Sequence, residues 1–151
     1  MIVDGYNVIH AWNIDTANLA DARTELLNTL DDYAGFSGED ITVVFDGYRK
    51  RGAMHEERCG LITVVYTAYG VTADTHIQRI ARQSEPMLKV VTADFLEQLS
   101  VFGSGAVRVT PDELKILVRQ AREKHLSLLH RSTLTGDELK KRLSIDAITE
   151  S

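Results

Sequence analysis

The chain has 151 residues, 44% hydrophobic and 26% charged, with a formal net charge of −5 and a single cysteine, Cys59. A chain of this length buries roughly two thirds of its unfolded surface as one domain. One cysteine excludes an internal disulfide framework and a cysteine-based zinc cluster, and the acidic balance argues against a protein that coats nucleic acid. No apolar run approaches the ~20 residues of a membrane span. A single cysteine makes a reducing cytoplasm the simplest expected compartment, and Val3 running straight into Asp4 is unlike a signal peptide.

Ile2-Val3-Asp4 reads as a short buried strand that ends in a polar turn, Asp4-Gly5-Tyr6-Asn7. Asp15 or Thr16 is placed to cap a helix from about Ala17 to Ala34, with Leu19, Ala22, Leu26, Leu30 and Tyr33 on its apolar face and Gly35 and Gly38 at its end. Ile41-Thr42-Val43-Val44-Phe45 is a β-branched second strand, and it too ends in Asp-Gly, at Asp46-Gly47. Residues 48–61 have no clear period and read as a mobile, basic loop. Ile62–Tyr66 is the third strand. A helix follows from near Thr72, with Asp74 in its first turn and Ile77, Ile80 and Ala81 on its stripe. Leu88–Thr92 is the fourth strand, and Asp94 is placed to cap a short helix carrying Phe95, Leu96 and Leu99. Val107-Arg108-Val109 is a short fifth strand. Thr110-Pro111-Asp112-Glu113 carries the signature of a capping box with proline at the first helical position. A second start signal at Thr135-Gly136-Asp137-Glu138 suggests a short helical tail from about residue 132. Alternating strands and helices imply one α/β domain over residues 1–151, a doubly wound, mostly parallel sheet of about five strands in three layers.

Four carboxylates share one context in this arrangement. Asp4 ends the first strand, Asp46 the second, Asp74 follows the third and Asp94 the fourth. Parallel strands share a direction, so all four fall at the edge where open α/β sheets bind ligands. Singly, each has a structural explanation: Asp-Gly is a common turn, and Asp is a favoured cap or first-turn residue. Together they would repel one another, a conflict that a divalent cation removes. Oxygen ligands without cysteine or converging histidines favour Mg²⁺ or Mn²⁺ over zinc, with waters and substrate phosphate oxygens completing the shell. Such a site suits phosphodiester hydrolysis. Arg49, Lys50 and Arg51 follow Asp46 in a loop that could reach backbone phosphates; a solvated charged loop is the plainer account. Tyr6, Trp12 and Tyr48 lie near the strand ends, where aromatic rings either stack unpaired bases or pack under loops. His10, His55, His76, His125 and His130 form no metal-spaced pair.

Val3-Asp4-Gly5-Tyr6-Asn7-Val8-Ile9, Val44-Phe45-Asp46-Gly47, Thr72-Ala73-Asp74 with Ile77, and Val91-Thr92-Ala93-Asp94 with Gln98 together resemble the NYN domain of the YacP-like ribonucleases, within the PIN-like nuclease superfamily. The order matches from residue 2 to about residue 120. The resemblance implies a PIN-like, Rossmann-like fold and metal-dependent cleavage of RNA that leaves a 5′-phosphate and a 3′-hydroxyl. It places Asp4, Asp74 and Asp94 as metal ligands, with Asp46 and Asn7 completing the catalytic set. The family often has Ser where this chain has Ala93, and Glu where it has Thr75 or Gln78.

The leading expectation is therefore an Mg²⁺- or Mn²⁺-dependent endoribonuclease acting on single-stranded RNA, with Tyr6, Arg49, Lys50 and Arg51 on the RNA. A small acidic chain has little RNA-binding surface of its own, which suggests RNA such as mRNA presented by a larger particle, for example the ribosome. The alternative is a non-catalytic RNA- or protein-binding module that keeps the NYN fold. A haloacid-dehalogenase-type phosphatase would need a second Asp at the position of Tyr6. Gly103-Ser104-Gly105 lacks the third glycine of a dinucleotide-binding loop and precedes a strand.

Overall fold

A computed structural model of the chain describes residues 1–47, 52–83, 87–94 and 105–149, the side chains of 132–149 excepted. The strands are β1 (Ile2–Asp4), β2 (Thr42–Phe45), β3 (His55–Cys59), β4 (Ile62–Tyr66), β5 (Lys89–Val91) and β6 (Val107–Val109). The helices are α1 (Gly5–Ala11), α2 (Leu19–Ser37), α3 (Ala73–Gln83) and α4 (Pro111–Thr149). The six strands form one sheet in the order β3-β4-β2-β1-β5-β6. Every neighbouring pair is parallel except β3 with β4.

Successive side chains of each central strand point to opposite faces, which splits the core in two. Val3, Val43, Phe45, Ile62, Val64 and Val91 face a core completed by Val8 and Ile9 of α1, Leu26 and Leu30 of α2 and Leu114 of α4. Ile2, Val44, Val65 and Val90 face the opposite side, where Ala73, Ile77 and Ala81 of α3 pack. A sheet covered on both faces explains why these strands read as continuous β-branched runs rather than alternating polar and apolar positions. The architecture is the three-layer, mostly parallel α/β fold expected from the sequence, with six strands where about five were expected.

The local differences have physical causes. Gly5 does not open a turn: α1 begins there, directly after β1. A Cβ at Gly5 would lie 2.3 Å from the Phe45 ring, so glycine lets the helix start against the core. Asn18, rather than Asp15 or Thr16, caps α2, its side chain accepting from the Ala20 and Asp21 amides. That helix runs past Gly35 to Ser37 and stops at Gly38 in the left-handed conformation (φ 73°). Part of the expected basic loop is β3, an exposed antiparallel edge strand. Thr110 accepts from the Glu113 amide at 3.1 Å, as the capping signature predicts. Thr135-Gly136 starts no separate helix, because α4 runs through it. The expected short helix at Phe95–Leu99 lies outside the described residues.

Candidate active site

The chain starts in β1, steps outward through β2 and β4, then returns to lay β5 and β6 on the other side of β1. The reversal falls between β1 and β5, the switch point at which open α/β sheets form a crevice beyond the carboxyl ends of their strands. Asp4 is the last residue of β1 and is half-buried there, paired in register with Val44 of β2. Asp46 follows β2 by one residue and Asp94 lies three past β5, so they flank Asp4 on its two sides. Asn7, in the first turn of α1, bridges the crevice: its Oδ1 accepts the Ala93 amide at 2.5 Å. Thr92, fully buried, holds the same segment from the other side. Its amide donates to the Val109 carbonyl at 3.2 Å, and its hydroxyl accepts the Asp94 amide at 3.1 Å. The segment carrying Asp94 is thus fixed to both α1 and β6.

Asp46 and Asp74 are linked through Thr67, one of the few buried polar side chains. The Thr67 hydroxyl accepts the Gly47 amide at 3.0 Å and donates to the Val71 carbonyl at 2.6 Å. Val71 leads into Thr72, whose hydroxyl caps α3 by accepting the Thr75 amide at 3.1 Å. Asp74 sits in that first turn, where the helix dipole favours a carboxylate. Gln78, one turn on, donates to Asp74 Oδ2 at 3.4 Å. Asp46 Oδ1 and Asp74 Oδ1 are both buried, with no hydrogen-bond partner among the described residues. Leaving a buried polar atom unsatisfied costs about 1–3 kcal/mol, more for a charged one, so these two oxygens mark where a further partner belongs.

Among the described residues, no three His, Cys, Asp or Glu side chains stand close enough to form a complete metal cage. Asp4, Asp74 and Asp94 share the edge without closing into a three-carboxylate group, and Asp94 is exposed. The donor set still suits Mg²⁺, which takes one or two carboxylates and completes its octahedron with water and substrate oxygens. Two buried, unpartnered carboxylate oxygens are donors of that type.

Beside this edge a cleft of about 800 Å³ opens on the α1–α2 side of the sheet, with Asp46 in its wall. Tyr6 lines it, half-buried, its ring 4.9 Å from that of Phe45 and its hydroxyl accepting from Arg23 Nη1 at 2.9 Å. Tyr66 lines it too. Burial pushes the Tyr66 hydroxyl above its ordinary pKa, against the charge and hydrogen bond of Arg23, so it stays protonated at neutral pH. Arg23 and Thr67 are the residues that sequence reasoning missed. Arg23 sits mid-helix among other charged residues, and Thr67 is one threonine after a strand; neither carries a motif.

The remaining sequence candidates sort by position. Tyr48, Arg49, Lys50 and Arg51 lie outside the described residues. Trp12 is structural: its Nε1 donates to the Pro111 carbonyl at 2.8 Å, fastening α1 to the start of α4. His125 stacks on Phe36 at 4.4 Å. His55 pairs with Glu57 at 3.2 Å, and His10 is exposed on the cleft. His76 is held below its ordinary pKa by burial and then by Arg79, with Glu56 opposing.

Among the described residues no helix is long and apolar enough to cross a membrane. In sequence, protein YacP of Bacillus subtilis (strain 168) is 31% identical over 121 residues, spanning 76% of this chain and 71% of the relative. In structure, crystalline Rae1 (YacP) from Bacillus subtilis superposes with a TM-score of 0.72 at 28% identity, covering 98% of this chain and 89% of that one. A single-substitution variant of Rae1 gives 0.73 at 27% identity, covering 87% and 82%. The YacP-like NYN domain, a nuclease-like fold, matches residues 1–150, and the chain belongs to that family.

Proposed function

We propose that the protein is a metal-dependent endoribonuclease that cleaves single-stranded RNA at the crevice between β1 and β5. The observation that carries this reading is the pair of buried, unpartnered oxygens on Asp46 and Asp74 at the edge where Asp4 ends β1. Asp4, Asp74 and Asp94 are the proposed ligands of Mg²⁺ or Mn²⁺. When bound, the cation acidifies a water and offsets charge on the phosphate. Asp46 Oδ1, otherwise unsatisfied, accepts a proton from the attacking water. Asn7 keeps Asp94 in reach by holding the Ala93 backbone. Water adds to phosphorus, the bond to the 3′ oxygen breaks, and that oxygen takes up a proton from solvent water, while Asp46 later returns its proton to solvent. The products are a 5′-phosphate and a 3′-hydroxyl. A net charge of −5 leaves little general attraction for RNA, so the substrate of this reading is RNA, such as mRNA, presented by a larger particle such as the ribosome.

The test is incubation of RNA, free and in translating ribosomes, with and without Mn²⁺, alongside Asp4→Asn. Mn²⁺-dependent cleavage that Asp4→Asn abolishes supports the reading; equal cleavage by the variant overturns it. Naked RNA cut as fast as ribosome-presented RNA overturns the presentation step. The absence of a closed three-carboxylate group among the described residues favours a second reading, a binding module that keeps the fold. That reading requires RNA affinity with no Mn²⁺-dependent cleavage by the wild-type chain.

A further inference from the structure

The cleft beside Asp46 carries a feature that the acidic edge does not use. Arg23 reaches into it from α2, half-buried, and its guanidinium donates to the Tyr6 hydroxyl at 2.9 Å. Among the described residues the side-chain ion pairs are His55–Glu57 and Lys89–Glu39, and none of the described carboxylates pairs with Arg23. A guanidinium has five donors and stays charged. Partly removed from water with neutral hydroxyls as neighbours, it is an anion site awaiting an anion. The rings around it are fixed. Tyr6 rests against Phe45 at 4.9 Å, Phe45 stacks on Tyr66 at 5.7 Å, and Tyr66 stacks on His55 at 6.2 Å. Phe45 is fully buried, so the series is anchored in the core. Glu57, the other carboxylate in the cleft, is engaged by His55 at the rim. The volume of about 800 Å³ exceeds what one nucleotide needs.

We propose that this cleft binds the nucleotide next to the scissile phosphodiester, with Arg23 holding that nucleotide's phosphate and the Tyr6 and Tyr66 rings receiving its base. The word scissile rests on the endoribonuclease reading; the binding itself does not. Arginine meets phosphate in a planar, two-point contact, and unpaired bases stack on aromatic side chains without regard to sequence. The cleft therefore selects single strands over duplexes, because a paired base cannot turn into it.

The experiment measures binding of a short, fluorescently labelled single-stranded oligoribonucleotide to the full chain in EDTA, where cleavage plays no part. Arg23→Gln keeps a donor for Tyr6 and removes the charge. It should weaken binding roughly tenfold or more, the scale of one charge-assisted contact. Arg23→Lys should fall between the two. Arg119→Gln, the same charge change on the exposed surface of α4, should leave affinity unchanged. Equal affinity of Arg23→Gln and wild type overturns the proposal, as does equal affinity for the same strand in a duplex. Amide shifts of the wild-type chain on adding the oligonucleotide give a reading independent of the variant's folding. Changes at Gly47, Gly52 and Tyr66 support the cleft, and changes confined to α4 overturn it. If wild type cuts no RNA with Mn²⁺ yet binds through Arg23, the nuclease reading fails and the cleft stands. If it cuts RNA while Arg23→Gln binds normally, the cleft fails and the nuclease reading stands.

Discussion

Gly47 shows how one residue sets the position of Asp46. A Cβ there would lie 2.1 Å from the Thr67 carbonyl oxygen, a backbone atom that cannot rotate away. The close approach also lets the Gly47 amide reach the Thr67 hydroxyl. Gly47→Ala should therefore push the end of β2 away from the segment leading to α3, and carry Asp46 away from Asp74. Overpacking of this kind costs about 1–3 kcal/mol. A thermal melt should show the destabilisation, and RNA cleavage should fall by more than the loss of folded protein accounts for. A variant that melts and cleaves like wild type would show that the approach is not needed. The Asp-Gly pair was readable in the sequence only as a turn. Its actual reason, a backbone contact with a residue twenty positions on, involves a partner that no local pattern names.

At the scale of elements, what could be read was what local chemistry dictates. β1, β2, β4 and β5 are β-branched and buried on both faces, so their runs stand out. The start of α4 has its own capping residues. β3 did not show because its sequence, His-Glu-Glu-Arg-Cys, has no apolar face to display. It is an edge strand, exposed along most of its length and charged, as exposed edges commonly are. What fixes it is the turn to β4. Gly60 adopts φ +63°, and Asp31 of α2 accepts the Leu61 amide at 2.7 Å through Oδ1. Asp31→Ala should remove this tie at a cost of about 1 kcal/mol, and hydrogen exchange should quicken at the β3–β4 turn while α4 is unaffected. On the other face, α3 carries a titration. The unfolded chain protonates His76 near its ordinary pKa of 6.5, while the folded chain resists until lower pH, chiefly through burial. The unfolded state thus binds the proton first, so this contribution is complete above pH 6.5 and is lost as pH falls below it. His76→Gln should flatten the acid side of the stability profile in urea melts from pH 7.5 to 5.5. An unchanged slope would assign it to other groups.

Across the whole molecule, the candidate site is a product of chain direction. The common edge of Asp4, Asp46, Asp74 and Asp94 was readable because parallel strands all deliver their ends to one side. The strand order, and hence the place of Asp4 at the switch point, was not readable, because it depends on which strands pair. The Arg23 cleft was hidden for the same reason: α2, α1 and β4 meet there only in the folded chain. The proposed ligands come from β1, α3 and the segment after β5, which the unfolded chain does not hold together. A cation that binds only the folded state stabilises by about 2.7 kcal/mol at ~100 times its dissociation constant. For a chain of this size each kcal/mol moves the melting temperature by about 2–4 °C, so saturating Mn²⁺ should raise it by roughly 5–10 °C. Asp4→Asn removes the central carboxylate. Compared with its own melt in EDTA, it should lose most of the Mn²⁺ shift. If both proteins rise equally, the cation binds elsewhere, and Asp4 is then only the end of a strand.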